Sequence, residues 1–281
     1  MSRPIDLIML TRPVNSIMVG FAVVVGVAVS APLELLSTPT ILGFLTGFLI
    51  SSYSMVVNDW YDLDVDRINN PNRPLASGRI SLRTAAVYAA ILLILGIATS
   101  LFTGLENFII ATVFAAIAWV YNYWGKKQIL LGNMMVAASV AIPYIYGGAA
   151  VGRIESLLLW FLALTSFLAA TGREVVKTIS DVEGDEARRV NSVARVYGSH
   201  AAAIVGGVLF LGAASSTVLP IVTGEVGVVY STLILLPDVL FVYAAVKIIR
   251  DSTKTNALKI KNLTLIGMII GMLVFIIGGI Y

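Results

Sequence analysis

The chain has 281 residues, of which 58% are hydrophobic and 12% charged, whereas soluble domains carry roughly 25% charged residues. A soluble globule of this length has too much surface to hide so large an apolar share. A soluble globule, a disordered chain and a collagen-like fibre are therefore excluded, which leaves an integral membrane protein. The net charge of +3 is mild. The absence of cysteine rules out disulfides and thiolate chemistry, and the single histidine, His200, leaves no Ser–His or histidine–metal site to build.

A transmembrane barrel alternates apolar and polar residues over strands of about ten residues. Here the apolar runs are about twice that length and read as helices. Nine spans are predicted in chain order, at about 14–33, 39–60, 84–103, 106–124, 130–151, 156–180, 199–222, 226–247 and 262–281. Pro32, Pro39, Gly104, Gly152, Gly198 and Gly224 punctuate the gaps. The expectation is an all-α, polytopic protein forming one membrane domain over residues 1–281. No cleavable signal peptide is expected, because the first apolar run has the length of a span.

The basic residues orient these spans. With a cytoplasmic N-terminus, one side holds Arg3 and Arg12, then Arg67, Arg73, Arg79 and Arg83, then Lys126 and Lys127. It also holds Arg173, Lys177, Arg188, Arg189 and Arg195, and finally Lys247, Arg250, Lys254, Lys259 and Lys261. Of the 19 basic residues only Arg153 falls on the other side. The positive-inside rule then predicts an integral cell-membrane protein whose N-terminus and two long loops, near 61–83 and 181–198, are cytoplasmic. Long polar connections in an otherwise minimal bundle are the expected functional parts.

The first long loop opens with Asn58, Asp59, Asp62, Asp64 and Asp66. Continued as a helix, it puts Asp59, Asp62 and Asp66 within about 60° of one face. At an effective dielectric near 20 and roughly 6 Å, each pair of these charges repels by ~3 kcal/mol, so something cationic must offset them. The second long loop repeats the spacing as Asp181 and Asp185, with Lys177 and Glu174 one and two turns earlier. Both acidic pairs follow even-numbered spans, in the manner of a weak internal duplication. Two carboxylate clusters with one asparagine suit a hard divalent cation such as Mg²⁺. With Arg73, Arg79, Lys126, Lys127 and Lys177 nearby, they make a receptor for a diphosphate. The plainer alternative is a set of solvated surface ion pairs, to which Asp64, Glu183 and Glu186 are assigned.

At these residues the chain resembles the UbiA-type intramembrane prenyltransferases. Their N-D-x-x-D-x-x-x-D signature is met by Asn58, Asp59, Asp62 and Asp66, and their D-x-x-x-D signature by Asp181 and Asp185. Tyr123 and Lys127 match a Y-x-x-x-K element, and Arg12-Pro13 an N-terminal Arg-Pro element, followed here by Asn15. The run from Ile68 to Ser81 and the segment Gly132–Ala137 are most similar to archaeal, ether-lipid-forming members of the family.

The resemblance implies a nine-span bundle with a cytoplasm-facing site. It implies Mg²⁺-dependent transfer of a geranylgeranyl group from geranylgeranyl diphosphate to geranylgeranylglyceryl phosphate. Tetrapyrrole or aromatic acceptors are the alternatives within the family. Residue by residue, Asn58, Asp62 and Asp66 hold one Mg²⁺, Asp181 and Asp185 a second, and Asp59 orients or completes the set. Arg73, Lys127 and Lys177 neutralise the diphosphate, with Arg79 and Lys126 as lesser contributors. Departure of the diphosphate leaves an allylic cation, which the faces of Tyr121 and Tyr123 stabilise, unless these tyrosines are interfacial anchors. Arg12 or Arg188 meets the acceptor phosphate and Asn15 the glycerol portion. The partners are thus an isoprenoid diphosphate and a lipid phosphate inside a membrane; no nucleic acid is expected, and the oligomeric state stays open.

A transporter is the rival from another class, but transporter sites lie near the midplane, whereas these acids cluster at one face. Asp238, after Pro237 in the eighth predicted span, is an intramembrane acid. It is read as part of a proline-broken helix whose freed polar groups find partners.

Overall fold

The computed structural model describes residues 4–187 and 190–280. Every regular element among them is helical. A short helix, α1 (Pro4–Leu10), precedes α2 (Pro13–Ser30) and α3 (Thr38–Tyr61). The first long connection carries α4 (Leu63–Asn69), and α5 (Leu82–Leu101) and α6 (Leu105–Tyr123) follow. A 3-10 turn, Gly125–Lys127, leads to α7 (Leu131–Ala150) and α8 (Leu157–Ser180). The second long connection carries α9 (Val182–Ala187) and α10 (Val193–Tyr197). The chain ends with α11 (Ser199–Ser216), α12 (Leu219–Val222), α13 (Val228–Leu233), α14 (Leu235–Arg250) and α15 (Lys254–Ile280).

The long helices pack as a closed bundle. α2 lies against α3 and α7, α8 against α7, α11 and α15, and α15 returns to α2, while α5 and α6 flank α3. Small residues permit the closest crossings. At the α2–α7 crossing a Cβ on Gly26 would collide with the Tyr144 carbonyl, and one on Gly147 with the Val23 carbonyl. The two backbones are therefore in direct contact.

Eight segments among the described residues are long and apolar enough to cross a membrane. The fifth predicted span is the exception. It forms as α7, 20 residues long, but Gly132, Asn133, Ser139, Tyr144, Tyr146, Gly147 and Gly148 lower its hydropathy. The reason is its position between α2 and α8, where close packing selects small and polar residues rather than lipid-soluble ones.

The eighth predicted span is broken rather than continuous. Pro237 has no N–H to give to the Leu233 carbonyl, and α13 ends at Leu233. Asp238 Oδ2 there accepts a hydrogen bond from Thr217 Oγ1 at 2.9 Å. The last helix starts at Lys254, earlier than the predicted 262, so Lys254, Lys259 and Lys261 sit on its first turns instead of in a loop. Both long connections are also partly helical, which fixes the residues they carry.

Candidate active site

The last turn of α3 delivers Asn58, Asp59 and Asp62, and Asp62 is the hinge between α3 and α4, with φ −94° and ψ 9°. The helix does not run straight through the acidic motif. Asp59 and Asp66 are buried, 3% and 5% exposed, while Asp62 faces a cavity of about 400 Å³. Asn58 and Asp62 enter that cavity from α3, Asn122 and Tyr121 from α6, and Asn133 and Val136 from α7. Glu174, Lys177 and Thr178 come from α8, followed by Asp181 and Asp185. Both predicted acidic motifs thus open onto one space, together with Lys126, Lys127, Lys177, Tyr121 and Tyr123.

Six expected site residues do not line it. Asp59 Oδ1 accepts from Arg12 at 2.5 Å and from Arg73 at 3.3 Å. Asp66 Oδ2 accepts from Arg73 at 2.5 Å, and its Oδ1 from Asn70 Nδ2 at 3.1 Å. Arg12, Asp59, Arg73 and Asp66 therefore alternate as a ladder beside the cavity. The structure thus separates the three carboxylates expected on one helix face, burying Asp59 and Asp66 against Arg12 and Arg73 while Asp62 lines the cavity. Buried carboxylates require counter-charges within the fold, and these two arginines supply them.

Arg12 reaches its place from a left-handed backbone, φ 45°, an arrangement that costs of order 1 kcal/mol or more in a non-glycine residue. Arg79 is also drawn away, its Nε 2.9 Å from Asp6 of α1 and its Nη2 donating to the Asn72 carbonyl. Asn15 is exposed on the first turn of α2. Arg188 lies outside the described residues.

The cavity walls are tied together. Asn58 Nδ2 donates to Asn122 Oδ1 at 2.8 Å, and Asn122 Nδ2 donates to the Ala118 carbonyl, which locks α3 to α6. Asn58 Oδ1 accepts from Arg12 at 3.3 Å. Lys126 Nζ donates to Asp62 Oδ1. Across the cavity, Lys177 Nζ donates to Glu174 Oε2 at 2.6 Å, and Arg173 pairs with the other oxygen at 3.2 Å. Tyr123 stacks on Trp119, ring centroids 5.4 Å apart.

Sequence reasoning gave no role to Asn122, Asn133 or Glu174, and assigned Asp64 to the surface. Asp64 does line the cavity, at its solvent edge, with Arg67 3.3 Å away. Glu174 was legible through its spacing from Lys177; Asn122 had no signal beyond its place between two tyrosines at the end of a span.

Carboxylates outnumber ammonium groups in the lining: Asp62, Asp64, Glu174, Asp181 and Asp185 against Lys126, Lys127 and Lys177. The donors are all oxygen on the acidic side, with no histidine or cysteine, which suits a hard divalent cation. Among the described residues no three acidic or histidine side chains are already gathered as a ligand set, so the two acidic pairs are separate halves.

The UbiA prenyltransferase family is matched over residues 19–278. The chain belongs to the UbiA prenyltransferase family. Digeranylgeranylglyceryl phosphate synthase of Methanosphaera stadtmanae is 30% identical, over 95% of this chain and 96% of its own. That of Methanocaldococcus jannaschii is 34% identical, over 96% and 95%. A solved structure concerning digeranylgeranylglyceryl phosphate synthase in membranes superposes with a TM-score of 0.91 at 33% identity, covering 100% of this chain and 99% of that one. A UbiA homologue from Archaeoglobus fulgidus, bound to GPP and Mg²⁺, shares the fold, with a TM-score of 0.68 at 18% identity over 96% of this chain and 99% of its own.

Proposed function

We propose that this UbiA family member transfers a geranylgeranyl group from geranylgeranyl diphosphate to geranylgeranylglyceryl phosphate, forming the second ether bond of an archaeal membrane lipid, with Mg²⁺ as cofactor. The observation that carries this reading is the opening of both acidic motifs, with three lysines, onto one cavity at the charged end of an apolar bundle. The near full-length likeness to digeranylgeranylglyceryl phosphate synthases supports the choice of acceptor. The asymmetry of basic residues supports a cytoplasmic position for this end.

Asn58 and Asp62 would hold Mg²⁺ from one side, and Asp181 and Asp185 from the other. The bound ion supplies charge stabilisation to a leaving diphosphate. Asp59 and Asp66 act beside the site, through the arginine ladder that fixes the end of α3 and α4. Lys127 and Lys177 attract the diphosphate oxygens. The faces of Tyr121 and Tyr123 favour a developing allylic cation by ~1–2 kcal/mol each. The acceptor hydroxyl oxygen forms the new C–O bond as the diphosphate bond breaks, and its proton passes to the diphosphate or to a lining carboxylate. The apolar helices keep water from the cation and accept the isoprenoid tails.

The test is incubation of purified protein with geranylgeranyl diphosphate, Mg²⁺ and either geranylgeranylglyceryl phosphate or an aromatic acceptor. The digeranylgeranyl product should form in wild type and be lost in Asp62→Ala and Asp181→Ala. Preference for the aromatic acceptor overturns the substrate assignment, and wild-type turnover in both variants overturns the site.

A further inference from the structure

We propose that Lys126 is a latch on the first acidic motif, so that divalent metal settles on Asp62 only in company with a diphosphate. The inference rests on the function proposed above and adds an order of events to it. Within the motif, Asp59 and Asp66 are buried against guanidinium groups. Asp62 is the carboxylate that opens to the cavity, and Lys126 Nζ already occupies its Oδ1. The side chains of Lys126 and Asp62 are only 18% and 27% exposed, so solvent screens the pair weakly.

A metal arriving alone meets an ammonium on the oxygen it needs, and two cations on one carboxylate repel. A diphosphate changes this by offering Lys126 other oxygens. The lysine stem is flexible, whereas its backbone is held: a Cβ on Gly132 would stand 2.9 Å from the Gly125 carbonyl, so the turn bearing Lys126 is pressed onto α7. The side chain swings and the turn stays. On the far wall Lys177 pairs with Glu174, and Asp181 makes no ion pair among the described residues. Linkage is reciprocal, so diphosphate tightens metal as much as metal tightens diphosphate.

The test is Mn²⁺ binding to the full chain in nanodiscs, read by electron paramagnetic resonance without turnover. In the absence of diphosphate, K126Q and K126M should each bind Mn²⁺ about tenfold or more tighter than wild type. K126R should match wild type, and K127Q should gain less. Inorganic diphosphate should raise Mn²⁺ affinity more in wild type than in K126Q. If K126Q and K126M bind Mn²⁺ no tighter than wild type without diphosphate, yet bind it with diphosphate, the latch is refuted and the proposed function stands. If no form binds Mn²⁺ even with diphosphate, the metal site itself fails and the latch falls with it.

Discussion

Arg73→Ala separates a structural role for the arginine ladder from a role in holding substrate. Arg73 contacts both Asp59, at 3.3 Å, and Asp66, at 2.5 Å, and these carboxylates are 3% and 5% exposed. Each contact is worth of order 5 kcal/mol before desolvation, at an effective dielectric near 20. The arginine side chain is itself 32% exposed, so solvent discounts that figure. Loss of the guanidinium leaves Asp59 with Arg12 and Asp66 with Asn70, and a net cost of about 2–4 kcal/mol follows. In thermal unfolding of the detergent-solubilised protein this corresponds to a fall of roughly 5–10 °C. The loss should be equal with and without Mg²⁺ and diphosphate. Asp66→Asn in the Arg73→Ala background should recover about half of it, because the stranded charge is removed. If Arg73→Ala unfolds at the wild-type temperature but weakens diphosphate binding, the ladder is not structural and Arg73 belongs to the substrate.

Thr217→Val should destabilise by about 1–3 kcal/mol, because it strips the hydroxyl that donates to Asp238; Asp238→Asn, which still accepts that bond, should cost less in the same unfolding assay. Gly26→Val should cost more than about 3 kcal/mol or prevent assembly, since its Cβ meets the Tyr144 backbone; a wild-type melting temperature would show that α2 and α7 can separate. At the α14–α15 turn, hydrogen bonds from the Thr253 hydroxyl and amide hold the Asp251 carboxyl below its ordinary value of 3.8. A lowered value stabilises the folded turn above the unfolded pKa and is lost as pH falls through the folded one. Hydrogen exchange at Thr253–Asn256 should therefore quicken, relative to other turns, only below about pH 4, and Asp251→Asn should abolish that pH dependence.

Composition and period alone determined that this chain is a helical membrane bundle, because so apolar a sequence has no stable place in water and runs of about twenty apolar residues suit only helices in lipid. The acidic motifs were equally legible: Asp62, Asp66, Asp181 and Asp185 announce themselves by spacing and by standing at the ends of spans. Only the tertiary structure decided which of these carboxylates face the cavity. The hinge at Asp62 leaves Asp62 open and Asp66 buried, and a one-face helical reading has no means of foreseeing that bend. The pairing of cations was likewise a matter of three dimensions. Arg12, Arg73, Arg79 and Lys126 are all basic residues on one side of the membrane by sequence, yet the fold pairs them with specific aspartates, Arg73 with two of them. The physical reason is that a charge removed from water takes the nearest opposite charge the packing supplies, and packing joins residues as far apart as Asp6 and Arg79.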